Sequence, residues 1–405
     1  MRINKSSFLI SSVFFLTIIY CNTYMVWPVE FRAALYGIVS LLIGGFFLFE
    51  NPKRKIVSAN YLFIMMTLYF IYCCMNVVIM YESIEKLLIG LYEYIFLVSL
   101  LFFCIYGCIY VHFEKIIMFL CFFGFVVSIL SICEYSMGMN FFHAKQIMSW
   151  DYYGDGVTRG TVFSTSPMEC GILICIYIFS CLERWIKTNK IMYIILLVVG
   201  FCGLIATHSR GPLVSFMLSF FVFLFTYVFY KYGIRLRRFF YIFLFLGIIV
   251  SALFYSVNGN EWILSIMDFE YDPSNALRFA FWINAINIIF FDTYNFLFGI
   301  GLASTGALGL GTTSITVTES GILKRWVEGG IFMMILYYSF IFLLLRYIMK
   351  VCKKFPREGV YILSCLICIL IEDTTLQIME SFNVTFMFCL LAARGFLLGN
   401  DAICR

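Results

Sequence analysis

The sequence predicts an all-α, polytopic integral membrane protein of about twelve transmembrane helices. Three observations predict it: an excess of apolar residues, their grouping into runs of span length, and a one-sided distribution of basic residues between the runs. Of 405 residues, 63% are hydrophobic and 13% charged, against roughly 45–50% and about 25% in an ordinary soluble domain. A water-soluble globule is excluded. At roughly 20 apolar residues per span, the hydrophobic complement supplies about twelve helices.

The runs follow one another in order: Ser7–Val26, Ala33–Phe49, Ile56–Met80, Leu87–Tyr110, Ile116–Tyr135, Met168–Leu182, Ile191–Thr207, Pro212–Tyr230, Phe239–Val257, Ile331–Ile348, Gly359–Ile371 and Phe382–Leu398. The eleventh is the shortest. The first follows Arg2 and Lys5 but lacks a small-residue cleavage site, so it reads as a retained helix rather than a signal peptide. With the N-terminus inside, 20 of the 28 basic residues fall on that same side, among them Lys53 to Lys55, Arg235 to Arg238 and Lys350 to Arg357. The bias places both termini in the cytoplasm. A net charge of +5 therefore reads as membrane orientation and not as a nucleic-acid surface. Most of the sixteen cysteines sit inside apolar runs as small hydrophobes. Cys365 and Cys368 form a CxxC, but without a second pair or a nearby histidine, so no metal and no cofactor is expected.

The whole chain, 1–405, reads as a single membrane-embedded domain with two long external segments, Ser136–Ser166 and Asn258–Gly330, where function concentrates. Within the second, Ala276–Phe291 suits an amphipathic helix at the membrane surface. Gly299–Thr313, rich in Gly, Ser and Thr, reads as a flexible loop. No internal repeat suggests an inverted-repeat transporter.

Even-numbered helices start outside, so the sixth, eighth and tenth present N-terminal N–H groups there, each an anion site in principle. The sixth opens at Ser166-Pro167, an N-cap followed by a first-turn proline, and the eighth at His208-Ser209-Arg210-Gly211-Pro212. Arg159 and Arg210 stand beside these starts and Arg278 lies in the large loop. Planar guanidiniums there suit a diphosphate; snorkelling for Arg210 and ordinary loop charge for the others is the plainer alternative. Glu93 falls inside the fourth run, facing either a polar cavity that admits substrate or hydroxyls of neighbouring helices. His208 suits phosphate binding or an interfacial imidazole. Glu372, Asp373 and Glu380 crowd the last external turn, as sugar contacts or simply as solvated charge. Trp150, Tyr152 and Tyr153 offer a sugar-stacking platform or an interfacial belt.

Four short motifs occur in order on the external face: Arg159-Gly160-Thr161-Val162-Phe163 followed by Pro167; Ser209-Arg210-Gly211; Arg278 with Trp282, Ala285 and Phe298-Gly299-Ile300-Gly301; and Glu319-Ser320-Gly321, Leu323 and Glu328-Gly329-Gly330. Together they resemble the O-antigen polymerase and ligase superfamily over about Arg159 to Tyr338. Ligases of that superfamily carry histidine where this chain has Glu319, so the resemblance is to the polymerase (Wzy) branch.

The resemblance implies a GT-C-like, metal-independent membrane glycosyltransferase of a bacterial inner membrane with its active face periplasmic. Its substrates would be undecaprenyl diphosphate-linked oligosaccharides held among membrane lipid, with a chain-length regulator (Wzz-like) as a further partner and no nucleic acid. On this pattern Arg210 and Arg278 would stabilise the departing diphosphate. Glu319 would act as general base or orient the acceptor hydroxyl, or else form a surface ion pair with Lys324 or Arg325. Arg159, Lys324, His208 and Glu93 complete the substrate-binding set. A ligase acting on lipid A-core is the alternative enzyme, and a lipid-linked oligosaccharide flippase the alternative transporter; the scarcity of charge within the runs favours an enzyme.

Overall fold

The computed structural model describes residues 61–80, 86, 90, 93–94, 96–110, 112–142, 158–164, 166–232, 273–305 and 319–399. They form helices and connecting turns without a strand: α1 (Tyr61–Ile79), α2 (Phe96–Tyr110), α3 (Phe113–Met137), α4 (Pro167–Thr188), α5 (Ile191–Ala206), α6 (Arg210–Tyr232), α7 (Pro273–Ile289), α8 (Thr293–Phe298), α9 (Gly321–Lys354), α10 (Pro356–Thr375), a 3₁₀ turn (Ile378–Glu380) and α11 (Phe382–Gly399). Nine of the twelve predicted runs meet a helix. The runs at 7–26, 33–49 and 239–257, and the platform at Trp150, Tyr152 and Tyr153, lie outside the described residues.

Four described helices are long and apolar enough to cross a membrane: α3, α6, α9 and α11. Twelve spans are thus not reached among the described residues. The reason for part of the difference is visible in α4 and α10. Both are of span length, 22 and 20 residues, yet α4 carries Glu169, Glu183 and Arg184, and α10 carries Arg357, Glu358, Glu372 and Asp373. Their faces are turned to protein rather than lipid: α10 packs against α4, α6, α9 and α11, and most of both helices is buried. The eleventh run, shortest by hydropathy, is therefore a full helix at the centre of the bundle.

Helix ends follow the sequence punctuation. Ser166 is the N-cap of α4, its hydroxyl accepting from Glu169 N at 3.2 Å, with Pro167 in the first turn. Ser320 caps α9 in the same way. Asn189 closes α4 in the left-handed region, its N–H donating to Trp185 O at 2.7 Å. The Ala276–Phe291 segment is helical as α7 and exposes Leu277, Phe279, Ile283 and Ile286.

The two ends of the bundle differ in their charge. At one, Arg357 pairs with Glu183 (2.8 Å), Arg394 with Glu358 (2.7 Å), and Lys187 with Glu114. This end carries residues that the sequence assigns to the basic side. At the other converge the starts of α4, α6, α9 and α11 and the ends of α1, α3, α5 and α10, and with them the four motifs.

Candidate functional site

The last motif is built around a break in a helix. α9 runs from Gly321, breaks at Gly330 (φ 65, ψ −174), and resumes as the long span to Lys354. A break leaves carbonyls without their partners four residues on, and buried carbonyls need replacements. Three are supplied. Ile300 N donates to Val327 O (2.9 Å), Gly301 N to Glu328 O (3.0 Å), and the Tyr72 hydroxyl to Gly329 O (2.6 Å). The approach is so close that a Cβ on Gly330 would stand 2.2 Å from Leu297 O, and one on Gly299 2.3 Å from Glu328 O. Glycine at both positions is thus explained by contact as well as by positive φ. Parts of the third and fourth motifs, Phe298-Gly299-Ile300-Gly301 and Glu328-Gly329-Gly330, are two halves of one joint.

Glu328 completes that joint. Its carboxylate accepts from Thr305 N and Thr305 Oγ1 (both 2.7 Å), from Ala303 N (3.2 Å) and from the Tyr94 hydroxyl. Asn76 on α1 clamps the same loop, donating to Phe298 O (3.1 Å) and accepting from Leu302 N (3.1 Å). The expectation of a flexible loop at Gly299–Thr313 is corrected for residues 299–305. Leu302 to Thr305 are buried and their polar groups are tied down; residues 306–313 lie outside the described residues.

From this joint the chain presents Glu319 at the mouth of the bundle. Its carboxylate meets Arg278 Nε of α7 at 2.7 Å, and Trp282 Nε1 donates to Glu319 O at 3.3 Å. The pair is partly open to solvent, with side chains 28% and 23% exposed. Glu319 has φ 44, a left-handed conformation uncommon outside glycine. Sequence reasoning offered Lys324 or Arg325 as its ion-pair partner; the structure pairs both elsewhere and gives Glu319 to Arg278.

Arg210, half-buried, opens α6, whose start rests on Glu372 of α10. A Cβ on Gly211 would stand 2.3 Å from Glu372 Oε1, and the Ser215 hydroxyl donates to Glu372 Oε2 at 2.8 Å. Arg278 lies within electrostatic reach of the same carboxylate. Glu372 thus joins the Arg210 helix start to the Arg278–Glu319 pair. Its neighbour Asp373 does the equivalent for α9, accepting from Arg325 Nη1 (2.7 Å) and lying against Gly321. The Ser320 hydroxyl also donates to Thr374 O at 2.8 Å. Of the three helix starts expected outside, that of α4 is capped by Ser166 as its sequence suggests, that of α6 faces the acidic side chain of Glu372, and the tenth run begins at the Gly330 break within α9, whose own start is capped by Ser320.

Arg159 and His208 stand together at the ends of α3 and α5. Gly160 N donates to Ala206 O (3.1 Å), and His208 (φ 48) stacks on Tyr135 with centroids 6.2 Å apart. The turn bearing Arg159 is organised by Glu134, fully buried near the end of α3. Its carboxylate accepts from Thr161 N (2.8 Å), Val162 N (2.9 Å) and Phe141 N (3.0 Å). These bonds hold Val162, a β-branched residue, at φ 50. Sequence reasoning did not single out Glu134 or Glu169, although both lie within or beside apolar runs, where an acidic residue is itself a signal.

Lys324 and Glu93 meet in a buried cluster rather than in the open. Lys324 Nζ donates to Glu93 Oε2 (2.8 Å) and to Glu380, and the Lys324 and Glu93 side chains are 4% and 2% exposed. Burial pushes the Glu380 carboxyl above the ordinary glutamate range against the pull of the Lys324 ammonium. Glu372, Asp373 and Glu380 are therefore not a solvated turn, because each is seated within the bundle end.

Residues 195–338 match the model of a family described as O-antigen ligase. The match places residues 195–338 in the O-antigen polymerase/ligase superfamily. The match takes in His208, Arg210, Arg278, Glu319 and Lys324 and ends at Tyr338, as the resemblance in the motifs does. It starts beyond Arg159 and Glu93. No curated protein matches the chain. The family match of residues 195–338 and the apolar helices together support a membrane protein of surface-polysaccharide assembly.

Proposed function

We propose that the protein polymerises undecaprenyl diphosphate-linked repeat units on the periplasmic face of a bacterial inner membrane, without a metal. The observation that carries this reading is the partly exposed Arg278–Glu319 pair at the mouth of the bundle, beside the Arg210 helix start. It sets a carboxylate for the acceptor next to guanidinium charge for the donor. In the reaction the acceptor sugar hydroxyl attacks donor C1, the C1–O bond to the diphosphate breaks, and the hydroxyl proton passes to Glu319. Arg278, released from Glu319 by substrate, and Arg210 balance the charge that develops on the departing diphosphate. Glu372 holds the start of α6 through Ser215 and lies within electrostatic reach of Arg278. His208 and Arg159 supply the flank of the same surface.

Ligation to lipid A-core is the second reading, favoured by the description of the matching family. The polymerase reading rests instead on an acidic residue at position 319. The experiment is to incubate the purified protein with its lipid-linked repeat unit and no other acceptor, with a divalent-metal chelator present. A ladder spaced by one repeat is the expected result. A single transfer appearing only when lipid A-core is added would establish the ligase, and inactivity with both would return the transporter reading to the front.

A further inference from the structure

Behind the Arg278–Glu319 pair lies a narrow cleft lined by Glu93, Lys324, Tyr337, Asp373 and Glu380, with Gly321 at its edge, two residues from Glu319. Two buried polar atoms on its lining have no hydrogen-bond partner among the described residues. One is Glu93 Oε1 and the other is the Tyr337 hydroxyl; both side chains are more than nine-tenths buried. Buried polar groups are nearly always satisfied, and two exceptions on one wall ask for a reason. The surrounding groups are otherwise matched. Glu93 Oε2 and Glu380 share the Lys324 ammonium, Asp373 takes Arg325, and the Arg325 guanidinium lies over the Tyr337 ring at 4.2 Å.

We infer that this cleft receives the hydroxyl-bearing edge of an acceptor sugar, with Glu93 Oε1 accepting from a sugar hydroxyl or amino group and the Tyr337 hydroxyl completing the contact. The assignment rests on the glycan-transfer reading and adds to it where the acceptor is gripped. Charge selects the acceptor over the donor diphosphate: the lining holds three carboxylates against two cations, and both cations are already engaged by carboxylates. A phosphate would find no uncommitted cation there, whereas a neutral sugar needs none. The inner part has room for roughly two water-sized groups, which fits hydroxyls at the edge of a ring. Position agrees, since Gly321 on the cleft's edge lies two residues from Glu319, the group that takes the acceptor proton.

The test uses full-length protein in lipid nanodiscs and, as probe, the repeat-unit oligosaccharide released from its lipid diphosphate by mild acid. Binding is followed by saturation-transfer NMR and turnover by the ladder assay. Y337F removes one oxygen that has no partner among the described residues, so a purely structural tyrosine predicts an unchanged or raised melting temperature and unchanged glycan binding. The inference predicts instead an unchanged or raised melting temperature with binding of the free glycan weakened about tenfold and acceptor KM raised to match. E93Q, which also disturbs Lys324, should weaken binding at least as much. Arg278→Ala should keep glycan binding while losing turnover. Folded Y337F that binds the glycan like the unaltered protein overturns the assignment, as does unaltered protein that polymerises without binding the free glycan; in both cases the transfer reading survives. Tyr337-dependent glycan binding by a protein inactive on lipid-linked substrate would instead overturn the transfer reading and leave the cleft a sugar site.

Discussion

Glu319 and Lys324 stand five residues apart in the same signature segment, and both read from sequence as members of one site, yet the fold gives them opposite surroundings. Glu319 faces Arg278 across a partly solvated mouth; Lys324, little more than one helical turn further on, is sealed between Glu93 and Glu380. An open pair is weakly held by water-screened attraction and can exchange its partner for a substrate. A buried triad has given up its hydration, so each charge depends on the others. The comparison separates a group available for chemistry from a group that supports it.

The largest effect should come from breaking the sealed side. Lys324→Ala leaves two buried carboxylates facing each other and should cost about 3–5 kcal/mol of stability, read as a large fall in thermal midpoint in detergent and poor recovery from the membrane. On the open side the loss should appear in rate instead. Arg278→Ala should lower ladder formation by about 10²–10³-fold with a thermal midpoint close to that of the unaltered protein. A collapse in stability would show that Arg278 is structural.

Between the two sits the joint that holds Glu319 in place. Gly330→Ala forces a Cβ against Leu297 O at a positive-φ position, costing about 1–3 kcal/mol and lowering activity through a displaced loop. Equal stability of the alanine variant would mean that the kink is relaxed in the membrane. The smallest stability effect should be that of Glu319→Gln, within about 1 kcal/mol because the pair is exposed. Its activity should nonetheless fall, and the comparison sharpens if stability and rate part in this way. Retained activity would reduce Glu319 to a positioning role.

Much of this was legible in the chain. Helix starts at Ser166-Pro167 and Arg210, a helical Ala276–Phe291 segment and a span beginning at Ile331 all follow from punctuation and periodicity, although the helical turns from Gly321 to Gly329 ahead of that span do not. Arg278 stood out as one of the few external basic residues, and Glu319 through its place in the family-like signature. The roles of Glu134, Glu328, Glu372 and Asp373 were not legible. Each acts on groups from another part of the chain: Glu134 on the 161–162 turn, Glu328 on residues 303–305, Glu372 on α6 and Asp373 on Arg325.

By itself the sequence determined the membrane class, the helical elements and the small set of charged residues from which a site could be drawn, because hydropathy, caps and glycines act locally along the chain. Only the tertiary structure decided which of those charges meet, which are buried and which remain open. Burial and pairing depend on what arrives from distant segments, and the same side chain is a support in one environment and a reagent in the other.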